Sequence, residues 1–147
     1  MILMHKLIST FFFVGKLPKA PGTWGSLCAA LIWWYIPLGN YAQITIIIFV
    51  TILGTYSAES YSKRISKKDP SEVVIDEVAG MWIALMFVPK NLILFIFGFV
   101  LFRFLDIKKP LIINSVQYLP GGYGIMADDV IAGLITCLFI HIGVNIL

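Results

Sequence analysis

Apolar residues in this chain gather into five long runs, at 27–36, 41–56, 73–88, 92–105 and 130–147, separated by short segments that hold most of its Gly, Pro and charged residues. A continuous apolar run with polar punctuation predicts a helix screened from water on all sides, not an amphipathic surface helix. Pro37-Leu38-Gly39-Asn40 and Pro89-Lys90-Asn91 are tight breakers. The first and second runs, and the third and fourth, are therefore expected to form helical hairpins. Several runs fall short of the roughly 20 residues that cross a bilayer as a helix. The shortfall nearly disappears if the third helix starts near Asp69 and the fourth continues to about Lys108, which draws polar residues into the spans. An earlier apolar stretch, 7–14, follows Lys6 in the manner of a signal peptide, but no small-x-small cleavage site comes after it. Residues 1–14 are accordingly expected to be retained as an interfacial segment.

Composition turns this pattern into a fold class. Of 147 residues, 59% are apolar and 13% charged, and mean hydropathy is +0.91; soluble domains have about 45–50% and about 25%. So small a chain cannot bury that much apolar surface in its own core. The expected architecture is all-α, a polytopic integral membrane bundle of about five short membrane helices with polar cytoplasmic ends, forming one domain over 1–147. Crossing at each run places 15–26, 57–72 and 106–129 on one side, with Lys16, Lys19, Lys63, Arg64, Lys67, Lys68, Lys108 and Lys109, and leaves Lys90 on the other. The basic side is the cytoplasmic one by the positive-inside rule, and the same rule accounts for the net charge of +3 without a nucleic-acid partner. Cys28 and Cys137 lie in separate apolar runs, at no metal-binding or redox spacing, and read as small apolar side chains. Oligomeric state is left open.

Charge is scarce enough for each carboxylate to matter. Of eight, five sit at the edges of apolar runs: Asp76, Glu77, Asp106, Asp128 and Asp129. Asp76 and Glu77 lie in a run otherwise apolar to Val88, and short acidic side chains reach water poorly from there. Asp128 and Asp129 are expected to open the last helix, where capping explains one of them. Gly80 follows Asp76 as Gly133 follows Asp129, one turn on, so the third and fifth helices are expected to pack through these glycines. Arg103, Asp106 and Lys109 share a helix face, with Lys108 beside it and Pro110 ending the helix; a self-neutralising pair is an equally good account of the first two. Upstream, Pro18-Lys19-Ala20-Pro21-Gly22-Thr23-Trp24-Gly25-Ser26 offers a helix start with hydroxyls and a lysine, a phosphate site by geometry, although a plain capped turn explains the same residues.

Brought together, five carboxylates require counter-charge, and no His or Cys accompanies them. An all-oxygen set suits a hard divalent ion, Mg²⁺ above all, held by carboxylates, water and substrate phosphate. Lys19, Thr23, Ser26, Arg103, Lys108 and Lys109 supply the anion-binding side. These features outline a metal-dependent phosphate enzyme working at a membrane surface, hence on a phospholipid. His5 and His141 fall outside every motif, no Cys-x5-Arg loop is present, and neither DGxxAR nor DxDx[TV] occurs. Water is the simplest nucleophile, with an aspartyl-phosphate second.

PKAPGTWGS, DPSEVVIDEVAG, FRFLDIKKP and GGYGIMADDVIAG resemble, in order, the signature segments of the phosphatidylglycerophosphatase A family, over Lys16 to Gly133. The resemblance implies a multi-pass protein of the bacterial inner membrane that removes the terminal phosphate of phosphatidylglycerophosphate, with Mg²⁺, to yield phosphatidylglycerol. It implies that Asp76, Glu77, Asp106, Asp128 and Asp129 hold metal and water, while Lys109 and the Thr23 loop hold phosphate. Two departures fall in the loop before the last helix, at Leu111-Ile112-Ile113 and Val116-Gln117. A phosphatase for another lipid phosphate such as phosphatidic acid, a small cation carrier and a structural membrane subunit are the competing expectations.

Overall fold

The computed structural model describes residues 2–110 and 112–146; Met1, Leu111 and Leu147 lie outside them, so the Leu111 departure and the outermost ends of the expected domain are not described. Among the described residues every regular element is helical: α1 (Ile2–Ser9), a 3₁₀ turn (Val14–Lys16), α2 (Pro21–Tyr35), α3 (Asn40–Ile65), α4 (Ile75–Ala84), α5 (Leu92–Lys108), α6 (Ile112–Val116) and α7 (Gly122–Ile146). The punctuation acts as the sequence indicates. Pro21 occupies the first turn of α2, where its missing N–H costs nothing. The Asn91 side chain caps α5 by accepting from the N–H of Ile93 (2.9 Å) and Leu94 (3.2 Å). Lys109 turns left-handed (φ 44°) to stop α5 ahead of Pro110.

The expectation of about five membrane helices is met only in coarser form. Among the described residues two helices, α3 and α7, are long and apolar enough to cross a membrane. At 1.5 Å per residue α4 spans only about 15 Å, half a hydrocarbon core. It begins at Ile75, not near Asp69, because residues 70–74 fold as a loop in which the Val74 N–H donates to Ser9 O (2.9 Å). Nor do Asp128 and Asp129 open the last helix; α7 starts six residues earlier at Gly122, and both acids lie about two turns in. The expected end of α5 at Lys108 is found.

Helix α4 is the centre of the molecule. Every residue of it except Glu77 is buried, and it is enclosed by α2, α3, α5 and α7. A half-length helix is tolerable at such a place because its backbone ends meet protein, not hydrocarbon. Trp33 of α2 stacks on Trp82 of α4 at 5.5 Å. Their indole N–H groups donate reciprocally, Trp33 to Leu85 O (3.1 Å) and Trp82 to Ala29 O (2.9 Å). This lock ties α2 to α4, and α2 packs on α4 and α5 without forming the expected hairpin with α3. The outer faces are apolar: Ile44, Ile48, Ile52, Ile93, Ile96, Val100, Leu134 and Leu138 are all exposed, while the buried set includes Asp76, Asp106, Asp128 and Asp129. Oil outside and carboxylates inside is the reverse of a water-soluble fold.

The expected glycine packing is present. A Cβ on Gly133 would stand 2.3 Å from Gly80 O, and one on Gly80 would stand 2.6 Å from Asp129 O. Helices α4 and α7 therefore touch backbone to backbone one turn beyond Asp76 and Asp129. Segments 15–26, 57–72 and 106–129 meet at one end of the bundle, while 36–43 and 88–95 line a cavity with Lys90 at the other. At the first end α1 lies on α3, Gly15 fits under Glu72 O, and Glu72 accepts from Tyr61 OH (2.8 Å) with Lys16 3.8 Å away.

Candidate active site

Close approach of α4 and α7 puts Asp76 and Glu77, in the first turn of α4, beside Asp129. One carboxylate oxygen from each lies within 4.8 Å of the others. Asp76 Oδ1, Glu77 Oε2 and Asp129 Oδ1 are buried with no hydrogen-bond donor among the described residues. At such separations and an effective dielectric constant near 20, each pair of full charges repels by about 3 kcal/mol or more. Three pairs approach the whole stability of a typical domain. With all three ionised, the cluster is balanced only by positive charge beyond Arg103, whose Nη1 is 3.9 Å from Glu77. Oxygen-only donors with unsatisfied buried lone pairs fit a hard divalent cation.

The other two acids are already paired. Arg103 Nη1 donates to Asp106, one turn along α5, and Lys109 Nζ donates to Asp128. Burial by itself would lower the Lys109 pKa, but the Asp128 hydrogen bond and charge, with Asp129 and Asp106 behind, more than offset it and hold the ammonium above its usual range. Arg103 also ties α5 to the start of α2, Nη2 to Thr23 Oγ1 and Nη1 to Ser26 Oγ, both at 3.4 Å. Ser26 in turn donates to Gly22 O (2.8 Å). A Cβ on Gly22 would lie 2.1 Å from Glu77 Oε1, so glycine there leaves the Glu77 carboxylate in its place.

A cleft of about 340 Å³ opens onto this cluster, lined by all five predicted acids with Arg103, Lys109, Gly22, Asp69, Ser71 and their neighbours. The structure brings together Asp76, Glu77, Asp106, Asp128, Asp129, Arg103 and Lys109. Thr23 and Ser26 stand one layer back as supports for Arg103. Lys19 and Lys108 are exposed and do not line the cleft. Asp69 and Ser71 do, and were not singled out by sequence; the signal was their place in the same Asp69–Gly80 segment as Asp76.

The fold and cleft define an all-helical protein with an apolar exterior and a buried acidic cluster flanked by cations, the equipment for handling a phosphate group at a membrane. Comparison with known proteins makes this specific: residues 7–144 match the family model described as Phosphatidylglycerophosphatase A, and the chain belongs to that family of phosphatases. A phosphatidylglycerophosphatase A of Escherichia coli is 36% identical over 88% of this chain and 77% of its own length. The Haemophilus influenzae protein of the same name is 34% identical over 91% and 85%. A Bacteroides thetaiotaomicron protein provisionally named a phosphatidylinositol-3-phosphatase is 37% identical over 92% and 91%. No solved structure matches the chain significantly.

Proposed function

We propose that this enzyme is a multi-pass phosphatase of the bacterial cytoplasmic membrane that hydrolyses the terminal phosphomonoester of phosphatidylglycerophosphate to phosphatidylglycerol, as a step of phospholipid synthesis, with its cleft on the cytoplasmic side. The observation that carries the proposal is the Asp76–Glu77–Asp129 cluster, with three buried carboxylate oxygens lacking donors, at the wall of a cleft that also presents Arg103 and Lys109. The two curated relatives named for this activity support the substrate. The gathering of the basic segments at the cleft's end, and the exposed apolar belt, support the orientation.

Asp76, Glu77 and Asp129 would hold Mg²⁺, while Asp106 and Asp128 hold Arg103 and Lys109 beside it. A divalent cation held by these residues would supply Lewis acidity toward the phosphoryl group and a lowered pKa for water. The chain's own groups do the rest. Lys109 and Arg103 present positive charge to the phosphoryl oxygens, where charge grows in the transition state. A carboxylate of the cluster accepts the proton of the attacking water as its oxygen bonds to phosphorus. The ester P–O bond then breaks, the glycerol oxygen leaves with the proton that carboxylate took from water, and inorganic phosphate is released. The apolar walls of α4 and α7 keep bulk water from the acids, which strengthens each of these contacts.

A cation carrier fits less well, because the acids gather at one end of the bundle and the path beyond them is filled by Met81, Trp82 and Leu85, all buried. The provisional name of the Bacteroides relative favours a second substrate, an inositol lipid phosphomonoester. The test is phosphate release by purified enzyme from a panel of phosphatidylglycerophosphate, phosphatidic acid and phosphatidylinositol 3-phosphate, with Mg²⁺ and with EDTA. Turnover of the first lipid that stops in EDTA is expected. Preference for another lipid would reassign the substrate, and equal rates in EDTA would remove the metal.

A further inference from the structure

Two more cavities adjoin the cleft in succession through shared lining residues. The first, about 250 Å³, shares Asp69 and Asp128 with it and is otherwise walled by Lys68, Gln117, Tyr118 and neighbouring residues of the loop before α7. The second, about 320 Å³, shares Leu119 with the first and runs down the outer seam between α3 and α7, past Ile52, Tyr56, Tyr123 and Val130. Its threonines do not make it polar: the Thr51 hydroxyl donates to Ile47 O and that of Thr55 to Thr51 O, both at 2.8 Å, so each is spent on its own helix. The series passes from charged to mixed to apolar, the same order as the parts of a lipid.

We propose that the substrate enters sideways between α3 and α7, with an acyl chain in that groove, its phosphodiester at Lys68, and the hydroxyl of the linking glycerol at Asp69. This rests on the reading of the chain as a phosphatase for a lipid whose phosphomonoester is borne on a phosphodiester. Lys68 is the cation that lines the middle cavity, its Nζ 5.9 Å from the centre of the Tyr118 ring. Of the two carboxylates there, Asp128 is engaged by Lys109, which leaves Asp69 to accept from a hydroxyl at the junction with the cleft. The competing groove, about 290 Å³ between α2 and α5 around Leu27, Trp34 and Phe99, shares no lining residue with the cleft or the middle cavity.

Two measurements test this on the full-length enzyme. Phosphatidylglycerol with a diazirine in one acyl chain is photolysed with the protein, with and without excess phosphatidylglycerophosphate. Labelling that the excess lipid removes is expected within 51–56 and 123–130; removal confined to 27–35 and 92–99, or none, overturns the groove. Lys68→Gln is expected to raise KM for phosphatidylglycerophosphate about fivefold with kcat within twofold, the size of one exposed charge contact; an unchanged KM overturns the diester site. Wild-type enzyme that shows competed labelling but releases no phosphate would refute the phosphatase reading and leave the lipid path standing.

Discussion

The Gly80–Gly133 contact sets the distance between the acids, and Gly133→Ala tests it. The added methyl carbon would lie 2.3 Å from Gly80 O and 3.1 Å from Ile83 Cβ, about 1 Å inside the 3.3–3.6 Å at which carbon normally meets a carbonyl oxygen. The obstacle is backbone, so no rotamer change relieves it, and α7 must move off α4 by about 1 Å. Overpacking of this kind costs about 1–3 kcal/mol. Replacing a helical glycine by alanine returns up to about 1 kcal/mol, so the net effect is destabilising. Asp129 lies one turn from the contact and moves with it; a displacement near 1 Å at reacting groups costs about 100-fold in rate. Gly143 is the control, on the same helix with nothing within 4 Å of its Cβ position. Thermal unfolding in detergent and phosphate release from phosphatidylglycerophosphate should show Gly133→Ala less stable and about 100-fold slower, with Gly143→Ala as stable as wild type or more so and fully active. Equal behaviour of the two variants would refute the claim that this contact positions the acids.

Other substitutions separate chemistry from packing. Asp129→Asn and Asp76→Asn should each lower kcat at least 1,000-fold, the scale on which removing a key catalytic group acts, yet raise the melting temperature of the metal-free protein, because each removes part of a repulsion of about 3 kcal/mol per pair. A fall in melting temperature in EDTA would show that the acids are structural. Gly22→Ala should cut activity tenfold or more with little change in stability, since its methyl meets the movable end of Glu77; phosphate release and thermal unfolding together check the split. Trp82→Phe loses the hydrogen bond to Ala29 O and should cost about 1–3 kcal/mol by denaturant titration, while leaving KM for the lipid within twofold.

Much of this was legible in the sequence, and the exceptions have physical causes. The five acids stood out because ionised groups are conspicuous in an apolar run, and the Asp-x3-Gly spacing on two helices announced their packing. The length of α4 was not legible: run 73–88 is apolar apart from Asp76, Glu77 and Gly80, and hydropathy does not distinguish a helix facing lipid from one wrapped by other helices. The start of α7 was hidden because Gly122 and Gly124 read as loop residues. They are helical here, and a Cβ on them would strike Thr55 O at 2.1 Å and Leu119 O at 2.2 Å, so their role is close packing. Sequence also could not divide the acids into a trio that each keep a buried oxygen without a donor among the described residues and two members hydrogen-bonded to Arg103 and Lys109, since that depends on where those cations reach.

The central claim is that Asp76, Glu77 and Asp129 together hold a divalent cation. Mn²⁺, which favours the same oxygen ligands as Mg²⁺, can be followed by the loss of its free-ion electron paramagnetic resonance signal as purified protein is added. Saturable binding to wild-type protein is predicted, weakened at least 100-fold in Asp76→Asn and in Asp129→Asn and displaced by Mg²⁺. Equal Mn²⁺ affinity in wild type and both variants would contradict the account.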